Sequence, residues 1–131
     1  VDQVVLEGTR VAPSAYATID GDGTLYDQNG VEVNYSSYLT GKCTAYTSNG
    51  GYTSTGKKAA EGLVAVDPSV IPYGTKLYIC SADGKTVYGY AVAADTGGAM
   101  LSGRILVDLY YDTLSECYDF GVRDMRVYIL K

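Results

Sequence analysis

Ala91-Val92-Ala93-Ala94-Asp95-Thr96-Gly97-Gly98-Ala99-Met100 is a run of small apolar residues that ends on a carboxylate and then on two glycines. Its first half reads as a buried strand, and the glycines free the backbone directly after Asp95. A carboxylate held at a strand end and followed by glycines is rigid, yet a substrate can approach it closely. Thirteen residues on, Arg104-Ile105-Leu106-Val107-Asp108-Leu109-Tyr110 sets a second carboxylate inside another apolar run. Twenty-eight residues before Asp95, Leu63-Val64-Ala65-Val66-Asp67-Pro68 ends a third apolar run on a third Asp. The chain is therefore organised around three aspartates on three expected strands.

Working outward, short strands are expected at Cys43–Tyr46, Gly62–Val66, Lys76–Cys80, Thr86–Ala94, Arg104–Tyr111 and Arg123–Leu130. Ala82-Asp83-Gly84-Lys85 reads as a hairpin turn, and Ile71-Pro72-Tyr73-Gly74-Thr75 as a turn punctuated by Pro and Gly. Residues 48–56 form a Gly/Ser/Thr/Tyr loop. Thr113 with Glu116 three residues on predicts a capped helix start. Leu114, Cys117, Tyr118 and Phe120 would supply that helix's buried face, and Gly121 its stop. Short strands with frequent turns predict a mainly β fold: a small, closed, six-stranded β-barrel with one short helix. The barrel is assigned to residues 39–131. Residues 1–38 read as a connector with one hairpin, opening on a strand signal at Val1–Thr9. Asp20-Gly21-Asp22-Gly23-Thr24 invites a calcium-loop reading, but the twelfth position, which needs a Glu, is Val31. Turns punctuated by Asp-Gly pairs are expected there instead.

Composition narrows the function. In 131 residues, 47% are apolar and 19% charged, which suits one domain with a real core. No apolar run approaches the roughly 20 residues of a membrane span. Val1 is not a natural start, so an upstream part is expected to have been removed. A net charge of −5 argues against a nucleic-acid partner. The absence of histidine excludes Ser-His and Cys-His nucleophilic machinery, so acid–base work falls to Asp, Glu, Lys or Tyr. Cys43, Cys80 and Cys117 lack metal-ligand spacing, and neither a metal nor another cofactor is expected. Their odd number leaves at least one thiol unpaired within the chain. A Cys80–Cys117 disulfide is expected, with three buried reduced thiols as the alternative. Most of the 14 tyrosines are expected to be packed strand residues.

Val64-Ala65-Val66-Asp67-Pro68, Ile71-Pro72-Tyr73-Gly74-Thr75-Lys76-Leu77, Asp95-Thr96-Gly97-Gly98-Ala99 and Asp108 together resemble the 3D domain, a family named for its three aspartates. The resemblance runs from about Cys43 to Leu130. It implies a double-psi β-barrel like those of expansins, the rare lipoprotein A group and membrane-bound lytic transglycosylase A. Such domains occur in Gram-positive cell-wall proteins downstream of G5 or peptidoglycan-binding modules, and Val1–Thr9 is similar to a G5 closing strand. One departure stands out. The third Asp usually follows the Gly-Gly motif by two residues less, at the place Leu106 occupies here. Two residues along a strand restore the same face, displaced by roughly 7 Å, and a bulge would remove the shift.

The resemblance implies action on peptidoglycan glycan strands outside the cell, as a secreted or wall-associated protein. It implies a lytic transglycosylase that cleaves between N-acetylmuramic acid and N-acetylglucosamine and leaves a 1,6-anhydro ring. Asp108 is expected to be the acid/base and Asp95 its cleft partner. Asp67 is expected to be mainly structural and is grouped with the substrate-binding residues. Lys76, Tyr46, Thr55, Thr96 and Gly97 are substrate-contact candidates by their place in the family pattern. Plainer roles compete: Asp67 as a turn starter, Asp95 as a tie for the Gly-Gly turn, and Asp108 and Lys76 as solvated strand residues. Two other functions compete as well. One is a non-catalytic, expansin-like glycan-binding module using the same cleft. The other is an aspartic-protease half, since Ala93-Ala94-Asp95-Thr96-Gly97 resembles that signature; its single copy would require a homodimer.

Overall fold

A computed structural model describes residues 16–48 and 50–131. Six strands close into a barrel: β4 (Tyr35–Tyr46), β5 (Leu63–Ala65), β6 (Lys76–Cys80), β7 (Val87–Asp95), β8 (Val107–Tyr110) and β9 (Arg123–Leu130). Their order around it is β4-β8-β5-β7-β6-β9. The β4–β8 and β5–β7 pairs are parallel and the rest antiparallel. Parallel neighbours need crossovers rather than hairpins, and β6 lies within the crossover from β5 to β7. The expected six-stranded double-psi barrel is the fold.

Period-two alternation fills the barrel. Val64, Leu77, Ile79, Ala91, Ala93, Val107, Leu109, Met125 and Val127 pack in one buried cluster with Cys43, Val66, Ile71 and Phe120. On β6, however, Tyr78 and Cys80 are buried as well. A second cluster explains this. Residues before the barrel form a three-stranded antiparallel sheet of β1 (Thr18–Ile19), β2 (Leu25–Tyr26) and β3 (Glu32–Val33). Its Ala17, Leu25 and Val33 lie on Tyr78, Cys80 and Tyr128. The Asp-Gly stretch and the Gln28-Asn29-Gly30 that follows it are its turns: the Asp20 N–H donates to the Thr24 carbonyl (2.9 Å) and the Asp27 N–H to the Val31 carbonyl (2.8 Å). The buried Asp27 carboxylate accepts from Asn29 N, Val31 N and the Tyr90 hydroxyl (2.7 Å), which fastens the sheet to β7. β4 begins at Tyr35, inside the stretch read from sequence as a connector. The strand expected at Val1–Thr9 lies outside the described residues.

Gly84 makes the small sheet's docking possible. Its carbonyl accepts from Ala17 N (2.9 Å), and its φ is +74°. A Cβ there would lie 2.2 Å from the Ala17 carbonyl oxygen. Gly84→Ala is therefore expected to destabilise the protein by about 1–3 kcal/mol, by strain and by prising the sheet from the barrel. Urea unfolding followed by tyrosine fluorescence would read this.

Among the described residues there are two helices where one was expected. The extra one, α1 (Gly98–Leu101), is a single turn after Gly97 that buries Met100. The expected one, α2 (Leu114–Phe120), has the foreseen capping box: Glu116 N donates to Thr113 Oγ1, and Thr113 N to Glu116 Oε1, both at 3.2 Å. Gly121, at φ +63°, ends it by donating to the Cys117 carbonyl. Its buried face is narrower than expected: Phe120 enters the core, while Leu114 and Tyr118 are 56% and 77% exposed. A helix this short seats only its C-terminal end on the barrel.

The expected Cys80–Cys117 disulfide is absent, and all three cysteines are free. Cys80 faces the small sheet within the second cluster, whereas Cys117 rides on α2 beside Asp108. Burial pushes the Cys43 thiol up to about 12 and the Cys80 thiol up to about 11, so both are poor nucleophiles.

Candidate active site

The β5 residue Ala65 pairs with Asp95 of β7 on one side and with Asp108 of β8 on the other. Two carboxylates thus flank one small residue across three adjacent strands. Strand alternation alone would not bring them to one face. Val107 and Leu109 enter the main core, so Asp108 points away from it. Asp95, counted from the core residues Ala91 and Ala93, would point toward it. A register shift resolves the conflict: Val64 pairs with Ala93, but Ala65 pairs with Asp95. Ala94 is the extra residue of a bulge, and the bulge turns Asp95 onto the face of Ala65 and Asp108.

β4 completes this face. Thr44 pairs in parallel register with Asp108, and its hydroxyl donates to Asp108 Oδ1 (2.8 Å). Tyr46, two residues on, donates to Asp95 Oδ2 (3.4 Å), and its ring packs edge-on against Tyr110 at 5.4 Å. A hairpin covers the Asp95 end. The Tyr52–Lys58 bridge and the Thr53 N to Lys57 carbonyl bond (2.7 Å) form it, with Ser54 and Thr55 at its tip. Ser54 N and Ser54 Oγ donate to Asp95 Oδ1 at 2.9 and 2.7 Å, and Thr96 N does so at 2.9 Å. Thr55 N and Oγ1 donate to the Ala94 carbonyl (3.3 and 2.9 Å), which pins the tip to the bulge.

The two carboxylates have opposite electrostatic environments. Burial pushes Asp95 up, but hydrogen bonds from Ser54, Thr96 and Tyr46 outweigh it and hold Asp95 below the ordinary carboxylate value. Burial also pushes Asp108 up. The Thr44 hydrogen bond offsets part of this, the Asp95 charge adds to it, and Asp108 ends above the ordinary value. The Tyr46 hydroxyl is driven up by burial and then by both carboxylates, so it remains a donor.

Of the residues singled out from sequence, Asp95, Asp108 and Tyr46 come together. Thr96 contributes its N–H to Asp95, and its buried hydroxyl has no partner among the described residues. Gly97 precedes α1 in extended backbone, where a Cβ would meet Met100 Cε at 3.0 Å. Thr55 and Asp67 are engaged in structure. The Asp67 carboxylate accepts from Ser69 N (2.9 Å) and Ser69 Oγ (2.7 Å), and its carbonyl accepts from Val70 N and Ile71 N. Lys76 stands apart: exposed on β6, it lines a shallow apolar depression with Gly62, Leu77, Tyr90 and Leu130. Leu106 packs on the main core and against Gly41, so its position is apolar, and Asp108 is the β8 carboxylate beside Asp95.

Sequence reasoning missed Thr44 and Ser54. Thr44 was detectable, because it alternates with Tyr46 on an expected strand. Ser54 had no local signal, since it reaches Asp95 only through the fold of its loop.

Comparisons with known proteins bear on the family and the fold. The chain is 34% identical to a Bacillus subtilis (strain 168) protein named for cell wall shaping, YabE, over 98% of this chain and 32% of YabE. It is 40% identical to the cell wall-binding protein YocH of the same organism, over 72% of this chain and 33% of YocH. The chain therefore spans about a third of the length of each of these relatives. A crystal structure of MltA from E. coli superposes with a TM-score of 0.50 at 24% identity, over 63% of this chain and 28% of that one, a likeness of fold. The family model of the 3D domain matches residues 62–131, more than half of the chain. That match takes in Asp67, Asp95 and Asp108, and with it the chain belongs to the 3D domain family.

Proposed function

We propose that this domain acts on peptidoglycan glycan strands outside the cell, as a lytic transglycosylase with Asp108 as its single acid/base. The observation that carries the reading is the pairing of a carboxylate held up, Asp108, with one held down, Asp95, on one face of the barrel. Environments that push two carboxylates apart assign the acid and the ionised partner. The names of YabE and YocH supply the cell-wall setting.

In this scheme Asp108 donates its proton to the glycosidic oxygen as that bond breaks. Positive charge develops at the anomeric carbon of the muramic residue, and ionised Asp95 stabilises it. The sugar's own C6 hydroxyl then bonds to that carbon, and its proton passes to the Asp108 carboxylate. The products are a free 4-hydroxyl and a 1,6-anhydro ring, and Asp108 is protonated again. No water enters. Tyr46 and Thr44 hold the two carboxylates in place. The domain reading that accompanies this is a barrel module, assigned from sequence to residues 39–131 and extended back to Tyr35 by β4, behind an N-terminal segment.

Digestion of purified peptidoglycan by the protein, read by mass spectrometry, tests the proposal. Fragments ending in 1,6-anhydro-muramic acid are expected. Reducing-end fragments would make the domain a hydrolase. Glycan retained without any fragments would favour the binding-module reading, to which the name of YocH and the 72% exposed Tyr52 beside the site lend support.

A further inference from the structure

Asp95 owes most of its restraint to a residue outside the barrel. Its Oδ1 accepts three bonds, and two of them come from Ser54. The hairpin that carries Ser54 is itself anchored at several points. Tyr110 donates to the Ser48 carbonyl (3.1 Å) at one end, Gly62 N donates to the Tyr88 hydroxyl (2.9 Å) at the other, and Thr55 grips the Ala94 carbonyl beside the tip. Ser54 is thus delivered to Asp95 by a braced loop. Ionisation strengthens all three bonds to Oδ1, and a proton on the other oxygen, Oδ2, would set an O–H against the Tyr46 hydroxyl that donates to it. Charge-assisted bonds of this kind are the strong ones.

We propose that Ser54 is a positioning residue, whose hydroxyl fixes Asp95 as the charge-bearing partner of Asp108. The inference rests on the reading of Asp108 as the acid. The titratable groups around the pair are Tyr46 on β4 and Cys117 on α2, which interact with it directly, and Cys43 on β4 and Tyr88 on β7, which lie on the core side. All four are shifted upward and stay neutral from acid to neutral pH. Of the groups named here, Asp95 and Asp108 alone change charge in that range.

Activity requires Asp95 ionised, so it rises with pH through the Asp95 midpoint. It requires Asp108 protonated, so it falls through the Asp108 midpoint. Ser54→Ala removes the hydroxyl donor and leaves the N–H donor. The Asp95 midpoint is expected to rise by about 0.5–1 pH unit, which lowers activity on the acidic limb roughly 3- to 10-fold. The alkaline limb stays in place. Ser54→Thr, which keeps a hydroxyl, restores the wild-type limb.

The test is a carboxyl-carbon NMR titration of the wild-type protein, Ser54→Ala and Ser54→Thr, paired with pH profiles of fragment release from peptidoglycan. An Asp95 midpoint that rises in Ser54→Ala and returns in Ser54→Thr supports the inference. An unmoved Asp95 midpoint, or an unmoved acidic limb in an active enzyme, overturns it. The titration needs no turnover. A wild-type protein that releases no fragments would therefore sink the transglycosylase reading while still deciding the role of Ser54.

Discussion

Asp108→Asn is expected to cut the release of 1,6-anhydro fragments by at least about 100-fold, the usual scale for removing a general acid, while the protein melts no lower than the wild type at neutral pH. Asn matches Asp in size, and its Oδ1 can still accept from Thr44. The stability half follows from linkage. Asp108 titrates above its ordinary value in the folded protein, chiefly because it is buried. Between the unfolded and folded values the native state therefore holds the extra proton, and stability falls as pH rises through that window. Above it, the native state carries the full cost of a buried charge. Asn never ionises, so the variant escapes that cost at neutral pH and shows no gain below the unfolded value. Rates from fragment release and melting temperatures at acidic and neutral pH read both halves. A variant that loses its melting transition along with its activity would mean that Asp108 is structural.

Asp95→Asn is expected to act in two ways, lowering fragment release at neutral pH by about 10- to 100-fold and moving the alkaline limb to lower pH. The charge that stabilises the developing cation is gone. The charge that helps keep Asp108 protonated is gone with it. Geometry is largely preserved: the Asn oxygen can still accept from Ser54 and Thr96, and the Tyr46 hydroxyl can turn to accept from the new amide. The limb shift is the discriminating part. Loss of a mere turn tie beside Gly97 would lower the rate without moving the Asp108 limb. The same pH profiles, taken in parallel with Ser54→Ala, separate the two carboxylates because the variants move opposite limbs.

The barrel was legible in the sequence because its strands announce themselves by alternation. Lys76–Cys80 and Arg123–Leu130 begin and end as expected. The helix was legible at its ends, where Thr113, Glu116 and Gly121 act through local bonds. Its buried face was not, because exposure of Leu114 and Tyr118 depends on how α2 lies on the barrel. The small N-terminal sheet was half seen: its turns are local Asp-Gly and Asn-Gly chemistry, but its two-residue strands carry no period of their own. What it covers showed up indirectly, as burial of Tyr78 and Cys80 where alternation predicts exposure.

At the site, the pairing of Asp95 with Asp108 was legible through the family pattern, but the geometry that brings them to one face was not. The sequence pattern placed the doubt at Asp108, two residues from its usual place. The decisive irregularity lies instead at Ala94, whose bulge turns Asp95 onto the Asp108 face. A bulge is a cross-strand mismatch, and no single strand reveals it. Ser54 is invisible for a related reason, since its loop finds Asp95 across 41 positions of chain. Asp67, prominent in the sequence, proves to be a turn residue bonded to Ser69.

The most direct measurement is cleavage of purified peptidoglycan in water enriched in heavy oxygen, with the new muramic ends read by mass spectrometry. Transfer to the sugar's own C6 hydroxyl predicts ends that are one water lighter than reducing ends and carry no heavy oxygen. Heavy oxygen at the anomeric carbon of those ends would show that water is the nucleophile and contradict the account.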